Sequence, residues 1–229
     1  MKTHVLSLGG SIVAPDQVDV AFLRLFKERI GGFLDRHPED RLILVIGGGG
    51  PARHYQNALR ALAGDAPPEQ QDHVGIAATR LNAELIRGIF LAYGDNQLVT
   101  DPTAELSFEG RVLVGAGWKP GFSTDFDAVC LAERYGADTV VNLSNIKQVY
   151  TADPSKDASA KPLVHISWAD FRKMVGDTWN PGANVPFDPI AARRAMELGF
   201  KVIVASGRNL DTVEAILEGK PDFLGTTIG

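Results

Sequence analysis

The sequence predicts a three-layer α/β fold, in which a mainly parallel sheet is covered by helices on both faces. Five apolar runs recur along the chain, and segments with a helical pattern separate them. Strands that alternate with helices are typical of a parallel sheet with crossover helices. Four of the five runs end in glycine and the fifth in serine. Because ligands of such sheets bind outside the carboxyl ends of the strands, these endings are the first candidates for a site.

Each element follows from a local pattern. A strand is predicted where a short apolar run is bounded by glycine, as in HVLSLGG, and a helix where apolar residues recur at i, i+3 and i+4. In chain order the predicted strands are 4–10, 41–50, 111–117, 138–144 and 201–207, and the predicted helices are 20–36, 52–63, 75–92, 125–136, 188–198 and 211–218. The proline-containing stretches 64–72 and 151–162 are predicted to be excursions from the sheet, so a single domain is the simpler interpretation.

Composition excludes several classes of protein. The 229 residues carry a net charge of −5 with both signs scattered along the chain, which predicts neither a nucleic-acid partner nor a membrane surface. The first apolar run is too short for the core of a signal peptide, so we expect a cytoplasmic protein. The one cysteine, Cys130, lies in a helical pattern and is interpreted as a buried apolar residue rather than a nucleophile.

The glycine turns LGGS and GGGG are the strongest local signal. Glycine after a strand lets the backbone approach a phosphate, and the N–H groups of the following helix then point at the anion. The alternative is that glycine merely fits tight strand-to-helix turns, and phosphate binding is favoured because two such loops occur early in the chain. Gly47, Gly49 and Ala52 match the dinucleotide fingerprint only weakly, and a Walker loop is absent. The remaining interpretation of the glycine turns is phosphoryl transfer by an enzyme that has no P-loop.

Seven strings carry a resemblance to a known family. They are SLGGS (7–11), VIGGGGPARHY (45–55), GIAATRLNAELI (75–86), GWKPGFSTDFDAV (117–129), YTADPSKDASAK (150–161), FDPIAA (187–192) and GTTI (225–228). In this order along nearly the whole chain, they resemble the amino acid kinase superfamily, and more narrowly its archaeal-type uridylate (UMP) kinases. The resemblance implies an αβα sandwich in which ATP, carrying Mg²⁺, meets UMP across the strand ends, and a homo-oligomer that is usually a hexamer. It also implies an acceptor-binding half at about 1–137 and an ATP-binding half at about 138–229.

The resemblance also implies roles for individual residues. The residues expected to bind ATP are Gly10, Ser11, Gly49, Arg53, Ser144, Tyr150 and Asp153, and those expected to bind UMP are Gly48, Asp72, Trp118, Lys119, Pro120, Gly121, Phe122, Ser123 and Thr124. Lys119, Arg53 and Asp125 are predicted to be catalytic. For Asp125, capping of the helix and positioning of magnesium or a hydroxyl group both remain open. Arg80 is left outside the core site, because a helix-surface contact is as good an interpretation as substrate contact.

The sequence departs from the family pattern at four places. Several of these kinases carry a lysine before the first glycines, where this chain has Ser7. The usual GTHPGH reads GWKPGF, Lys147 replaces a common aspartate, and Asn180 replaces a common lysine. Our hypothesis is that Lys119 supplies part of the missing charge, with Lys147 as a second candidate. Both could instead be solvated lysines.

The leading functional prediction is transfer of the γ-phosphoryl group of ATP to UMP. One alternative is a kinase of the same fold that acts on another small acceptor, since Trp118 and Phe122 add aromatic surface to a loop that is usually polar. The other is a nucleotide-binding sensor or storage protein with little turnover, which the missing lysine favours.

Overall fold

The computed structural model describes residues 1–64, 66–178 and 185–229. Its strands are β1 Thr3–Leu8, β2 Arg41–Ile46, β3 Gly94–Val99, β4 Val112–Gly115, β5 Thr139–Ser144, β6 Val149–Tyr150, β7 Pro162–Leu163, β8 His165–Ile166, β9 Lys201–Ser206 and β10 Gly225–Ile228. Its helices are α1 Gly10–Val13, α2 Val20–Arg36, α3 Gly49–Ala63, α4 Pro68–Ile89, α5 Thr124–Arg134, α6 Trp168–Val175, α7 Pro189–Glu197 and α8 Leu210–Leu217. Asn180 lies outside the described residues.

Eight strands form one sheet in the order β3-β4-β2-β1-β5-β9-β10-β8. In this spatial order, the first six strands, from β3 to β9, all pair in parallel with their neighbours. Strand β10 is antiparallel to β9, and β8 is parallel to β10. The predicted mainly parallel sheet is therefore confirmed. Strands β6 and β7 form a separate hairpin, and the stretch 151–162 predicted as an excursion lies largely between these two strands.

Alternating side chains of the central strands supply two cores, one on each face of the sheet. Leu6 and Leu8 of β1 join the core covered by α2, α4 and α8. Val5, which precedes Leu6, joins the core covered by α5, α6 and α7. Both faces of the central strands are buried, which explains why these strands read as continuous apolar runs rather than as alternating patterns. The three predicted layers are present.

The structure corrects several predicted boundaries. Helix α4 begins at Pro68 instead of residue 75, so the second half of the stretch 64–72 is helical and not an excursion. Proline suits the first position of a helix, where its missing N–H costs no hydrogen bond. The sequence prediction also missed β3, β10 and α6, whose short or polar segments carry little periodic signal.

Parallel pairing brings the ends of β1, β2, β4, β5 and β9 to one edge of the sheet. The segments that leave this edge begin with Gly9, Gly47, Ala116, Asn145 and Gly207. The predicted site residues are drawn mainly from these segments. Within the described part of the chain, no helix is long and apolar enough to cross a membrane.

Candidate active site

The two glycine turns that follow β1 and β2 pack directly against each other. A Cβ atom on Gly10 would lie 2.0 Å from the backbone nitrogen of Gly49, and one on Gly49 would lie 2.3 Å from the carbonyl oxygen of Gly10. Gly49 also has a φ angle of +64°, which L side chains rarely adopt. The tight packing that sequence analysis kept as an alternative is thus sufficient to require glycine here, and phosphate binding needs separate support.

Helix α4 supports the second glycine turn from below. The buried Asn82 side chain donates hydrogen bonds to the carbonyl oxygens of Gly47 at 2.9 Å and Gly48 at 3.1 Å. Because these carbonyls are engaged on the helix side, the turn is held in one orientation. Sequence analysis did not identify Asn82, although it lies within the string GIAATRLNAELI that carries the family resemblance.

Arg53 lies in the second turn of α3 and reaches the segment that follows α1. Its Nη2 atom donates to the carbonyl oxygen of Pro15 at 2.7 Å, and its side chain is exposed. Ser11, in the first glycine turn, is half-buried. Besides the bond to Pro15, the Arg53 guanidinium group has further N–H groups that can donate to an anion.

Asp125 is turned inward onto β1 instead of capping its helix. Ser123 is the N-cap of α5, since its Oγ accepts from the backbone N–H of Phe126. Asp125 Oδ1 accepts from the Ser7 hydroxyl at 2.8 Å, and from Asn142 Nδ2 at 3.3 Å. Of the two interpretations left open for Asp125, capping is wrong.

The neighbourhood of Asp125 is acidic. Asp125 Oδ2 accepts from the backbone N–H of Asp188 at 3.2 Å, and Asp188 caps α7 by accepting from Ala191 N at 2.7 Å. The pKa of Asp125 is raised to about 6, chiefly by burial; the Ser7 hydroxyl opposes this shift and the charge of Asp188 contributes to it. Burial likewise raises the pKa of Asp188. Ser7 thus places a neutral donor beside a carboxyl group that ionises close to neutral pH.

Residues 117–123 form a loop, which we call the acceptor loop, and α4 holds it at three points. Thr79 Oγ1 accepts from Gly117 N at 2.8 Å, Arg80 donates to the carbonyl oxygens of Gly117 and Trp118, and Asp72 accepts from Gly121 N at 2.8 Å. Arg80 therefore orients the loop backbone. This role differs from both a surface salt bridge and a direct substrate contact.

Thr79 also connects the acceptor loop to the glycine turns. A Cβ atom on Gly48 would lie 3.6 Å from the Thr79 methyl group, while the Thr79 hydroxyl accepts from Gly117. The loop and the turn after β2 consequently flank the same helix face. The signal for this side chain in the sequence was the string GIAATRLNAELI.

Aromatic rings stack along the acceptor loop. The ring centroids of Trp118 and Phe122 are 5.2 Å apart, and those of Phe122 and Phe126 are 4.6 Å apart. The Lys119 ammonium lies 3.7 Å from the Trp118 ring centroid and 5.3 Å from that of Phe122. Such an exposed cation–π contact is weak, about 0.5–1 kcal/mol. Lys119 can therefore leave the rings for a phosphate at small cost.

Asp127 lies beneath the acceptor loop. Its Oδ2 atom accepts from the backbone N–H of Trp118 at 3.2 Å, and the side chain is almost completely buried. Burial raises the pKa of Asp127 to about 8. Sequence analysis did not identify this residue, because an acidic residue in the first turn of a helix is ordinarily a solvated one. Cys130, one turn further along, has its pKa raised to about 12, chiefly by burial, and remains a thiol.

The residues predicted to bind the ATP base and ribose lie on a different part of the edge. Ser144 ends β5 beside Gly9, whose N–H donates to Leu143 O at 2.8 Å. Tyr150 lies in β6, and Asp153 lies in the turn that follows, where it accepts from Ser155 N at 2.9 Å. Ser144 is thus brought to the glycine turns, whereas Tyr150 and Asp153 belong to the hairpin.

Lys147 lies on another face of this edge. Together with Arg29, Arg208 and Ser206 it lines a recess of about 480 Å³. Arg29 is already paired with Asp211 and Glu214, so much of the positive charge of the recess is compensated locally. The structure gives no contact between Lys147 and the glycine turns.

Comparison with known proteins gives one consistent result. The family model described as the amino acid kinase family matches residues 2–206. The uridylate kinase of Methanospirillum hungatei is 36% identical over the whole chain and 95% of its own length, and that of Thermoplasma volcanium is 35% identical over 96% of the chain and 95% of its own.

Solved structures agree with these sequence matches. The crystal structure of the uridylate kinase from Archaeoglobus fulgidus superposes with a TM-score of 0.83 at 33% identity, covering both chains completely. The UMP kinase from Bacillus anthracis shares the fold, with a TM-score of 0.76 at 18% identity. The glycine turns, the acceptor loop and the hairpin thus sit on a framework common to these proteins, and the chain belongs to the amino acid kinase family.

Proposed function

We propose that this protein is a uridylate kinase, which transfers the γ-phosphoryl group of ATP to UMP and releases UDP and ADP. The observation that carries the proposal is the pair of interlocked glycine turns, flanked by an acceptor loop that α4 holds on the same edge of the sheet. For an in-line reaction, the donor and acceptor phosphate groups must come close to each other, and glycine backbone without side chains leaves room for both. The two sequence relatives named above are uridylate kinases, and each matches this chain over nearly its whole length.

The proposed donor site lies around the first glycine turn. Gly10, Ser11, Gly49 and Arg53 bind the ATP phosphates, with Arg53 exchanging the Pro15 carbonyl for phosphate oxygens. Ser144, Tyr150 and Asp153 receive the base and ribose. In this proposal the ATP-binding half is about 138–229, and the acceptor-binding half is about 1–137.

The proposed acceptor site lies between α4 and the acceptor loop. Gly48 and Asp72 contact UMP, and Trp118 to Thr124 surround its phosphate. Asp72 already fixes Gly121, so one side chain both shapes the loop and faces the acceptor. A UMP phosphate oxygen attacks the γ-phosphorus directly, ADP leaves with the bond electrons, and no covalent enzyme intermediate forms.

Charge for the transfer comes from two sources in this proposal. Mg²⁺ accompanies ATP and neutralises charge on its β- and γ-phosphates. The carboxyl group of Asp125, beside Ser7 at the end of β1, is an acidic group that this corner offers to such an ion. Lys119 supplies the positive charge that Ser7 cannot, by moving from the Trp118 ring to the transferring phosphoryl group.

We also propose that the protein is a homo-oligomer. An apolar groove between α2 and α4 is lined by Val18, Val20, Leu23, Leu85 and Ile89. Val20 is 62% exposed in the single chain, and a second copy would cover this face. Light scattering measures the assembly directly. The hexamer implied by the resemblance and the cytoplasmic location expected from the sequence stay predictions.

The direct test is ADP release from ATP and magnesium with UMP, CMP, dUMP, AMP and isopentenyl phosphate offered separately. We expect substantial turnover with UMP and at least tenfold less with the other acceptors. Preference for another acceptor would replace UMP in the proposal while keeping kinase chemistry. Absence of turnover with every acceptor, while ATP still raises the melting temperature, would favour a binding protein and contradict the proposal.

A further inference from the structure

We propose that Asp127 is a positioning residue for acceptor binding, which acts through the backbone N–H of Trp118 to fix the acceptor loop. The inference concerns the acceptor site and so rests on the proposed function. Asp127 itself is buried under the loop and touches the acceptor only indirectly, through the loop backbone that it holds.

The burial of Asp127 is hard to explain by stability alone. Its side chain is 1% exposed, and its Oδ1 atom has no hydrogen-bond partner among the described residues. A buried carboxyl oxygen without a partner costs free energy, and an apolar residue of similar size would avoid that cost. Within residues 1–64, 66–178 and 185–229, the one hydrogen bond that the carboxyl group accepts comes from the acceptor loop, which indicates what the residue contributes.

The bond to Trp118 completes the attachment of the loop. Three residues of α4, namely Asp72, Thr79 and Arg80, hold the loop from one side. Asp127 adds a polar attachment on the α5 side, at the residue whose ring carries Lys119. Loss of this bond would release the Trp118 backbone on the α5 side and widen the range of loop positions, since the other polar contacts of this segment are those to α4 and that of the Trp118 side chain with Asp101.

Steady-state kinetics of three variants test the proposal. Asp127→Ala removes the bond, Asp127→Asn keeps an oxygen acceptor but cannot ionise, and the exposed Asp222→Asn is the control for loss of one negative charge. For Asp127→Ala we expect the KM for UMP to rise about tenfold, with the KM for ATP and kcat within twofold of wild type. Asp127→Asn should keep the KM for UMP within threefold of wild type, because its amide oxygen can still accept from Trp118 N, and Asp222→Asn should leave both KM values unchanged. An unchanged KM for UMP in Asp127→Ala, or an equal rise of both KM values, would overturn the proposal.

A second measurement does not depend on turnover. The chain has three tryptophans, so ¹⁵N-tryptophan labelling gives three backbone amide signals, of which Trp118→Phe assigns one. We expect the Trp118 amide to exchange with solvent deuterium at least tenfold faster in Asp127→Ala than in the wild type, and to keep slow exchange in Asp127→Asn. Equal exchange in the wild type and Asp127→Ala overturns the proposed contact. Slow exchange that depends on Asp127, in a protein that phosphorylates no acceptor, contradicts the proposed function and supports the attachment of the loop by Asp127.

Discussion

The acceptor corner and the nucleotide hairpin are built in opposite ways. The acceptor corner comprises the two glycine turns and the acceptor loop, and side chains from α4 and α5 bond to its backbone. The hairpin, residues 149–163, holds its tip mainly by internal contacts, in which Asp153 binds Ser155 and Asp157 binds Ser159. Its base is attached to the sheet through Thr226, which accepts from Val149 N at 2.8 Å.

The difference indicates which part of the proposed site must be held rigid for phosphoryl transfer. In phosphoryl transfer the reacting groups must be aligned within a fraction of an ångström, whereas a base and ribose tolerate small displacements. The acceptor corner is therefore fixed by several elements at once, and in the proposed function the hairpin can adjust when ATP binds. Substitutions in the corner should change both stability and catalysis, and those in the hairpin should change nucleotide affinity alone.

Gly10→Ala should have the largest effect, because it separates the two glycine turns. The new Cβ would lie 2.0 Å from Gly49 N and 2.6 Å from the carbonyl carbons of Gly47 and Gly48. These are backbone atoms, so the turns must move apart. We expect a loss of more than a hundredfold in kcat/KM and about 3 kcal/mol of stability, within the range for overpacking in a dense interior. Chemical denaturation and turnover measure the two effects.

Gly88→Ala is the matched control for that substitution. Gly88 is exposed in the last turns of α4, and nothing lies within 4 Å of a Cβ atom built there. Alanine is the better helix former by about 0.5–1 kcal/mol, so this variant should be slightly more stable and fully active. Equal stability of the Gly10→Ala and Gly88→Ala variants would show that the interlocking of the turns carries no energetic weight.

Lys119→Ala tests the second part of the corner. If Lys119 replaces the positive charge missing at Ser7, kcat should fall about a hundredfold, the scale of one lost charge contact to a transition state. UMP affinity by calorimetry and the melting temperature should change little, because the side chain is exposed and only rests on Trp118. Lys147→Ala, on the recess beside Arg208, is the control and should keep its turnover. A hundredfold loss in Lys147→Ala instead would transfer the role to that residue.

Sequence patterns predicted the central strands of the sheet better than its short and edge strands. The five glycine- or serine-ended strands were recognised because buried parallel strands read as uninterrupted apolar runs. Strand β3, with the sequence GDNQLV, has too few apolar residues to stand out. Edge strands such as β8, two residues long, carry no periodic signal at all.

The site shows the same division. The residues that face the proposed ligands were named through a family resemblance, and whether each contacts a ligand stays a prediction. Asn82, Arg80 and Asp127 act on backbone atoms distant in sequence, and no local pattern reveals such partners. From the sequence, Asp127 is indistinguishable from a solvated acidic residue at the start of a helix. Only the fold shows that the acceptor loop covers it.

Asp153→Ala should have the smallest effect and should separate the hairpin from the corner. Asp153 is exposed, and its pKa is lowered chiefly by the hydrogen bonds from Ser155, so its removal opens one local turn without disturbing the sheet. We expect the KM for ATP to rise about threefold to tenfold, with kcat, the KM for UMP and the melting temperature close to wild type, since binding that is uniform along the reaction affects KM alone. Asp157→Ala is a closely matched control, because Asp157 makes the same two contacts with Ser159 in the same hairpin and is not predicted to bind ATP. If both variants raise the KM for ATP equally, the order of the hairpin rather than a ribose contact sets nucleotide affinity. If Asp153→Ala also raises the KM for UMP, the hairpin and the acceptor corner are coupled more tightly than their separate contacts indicate.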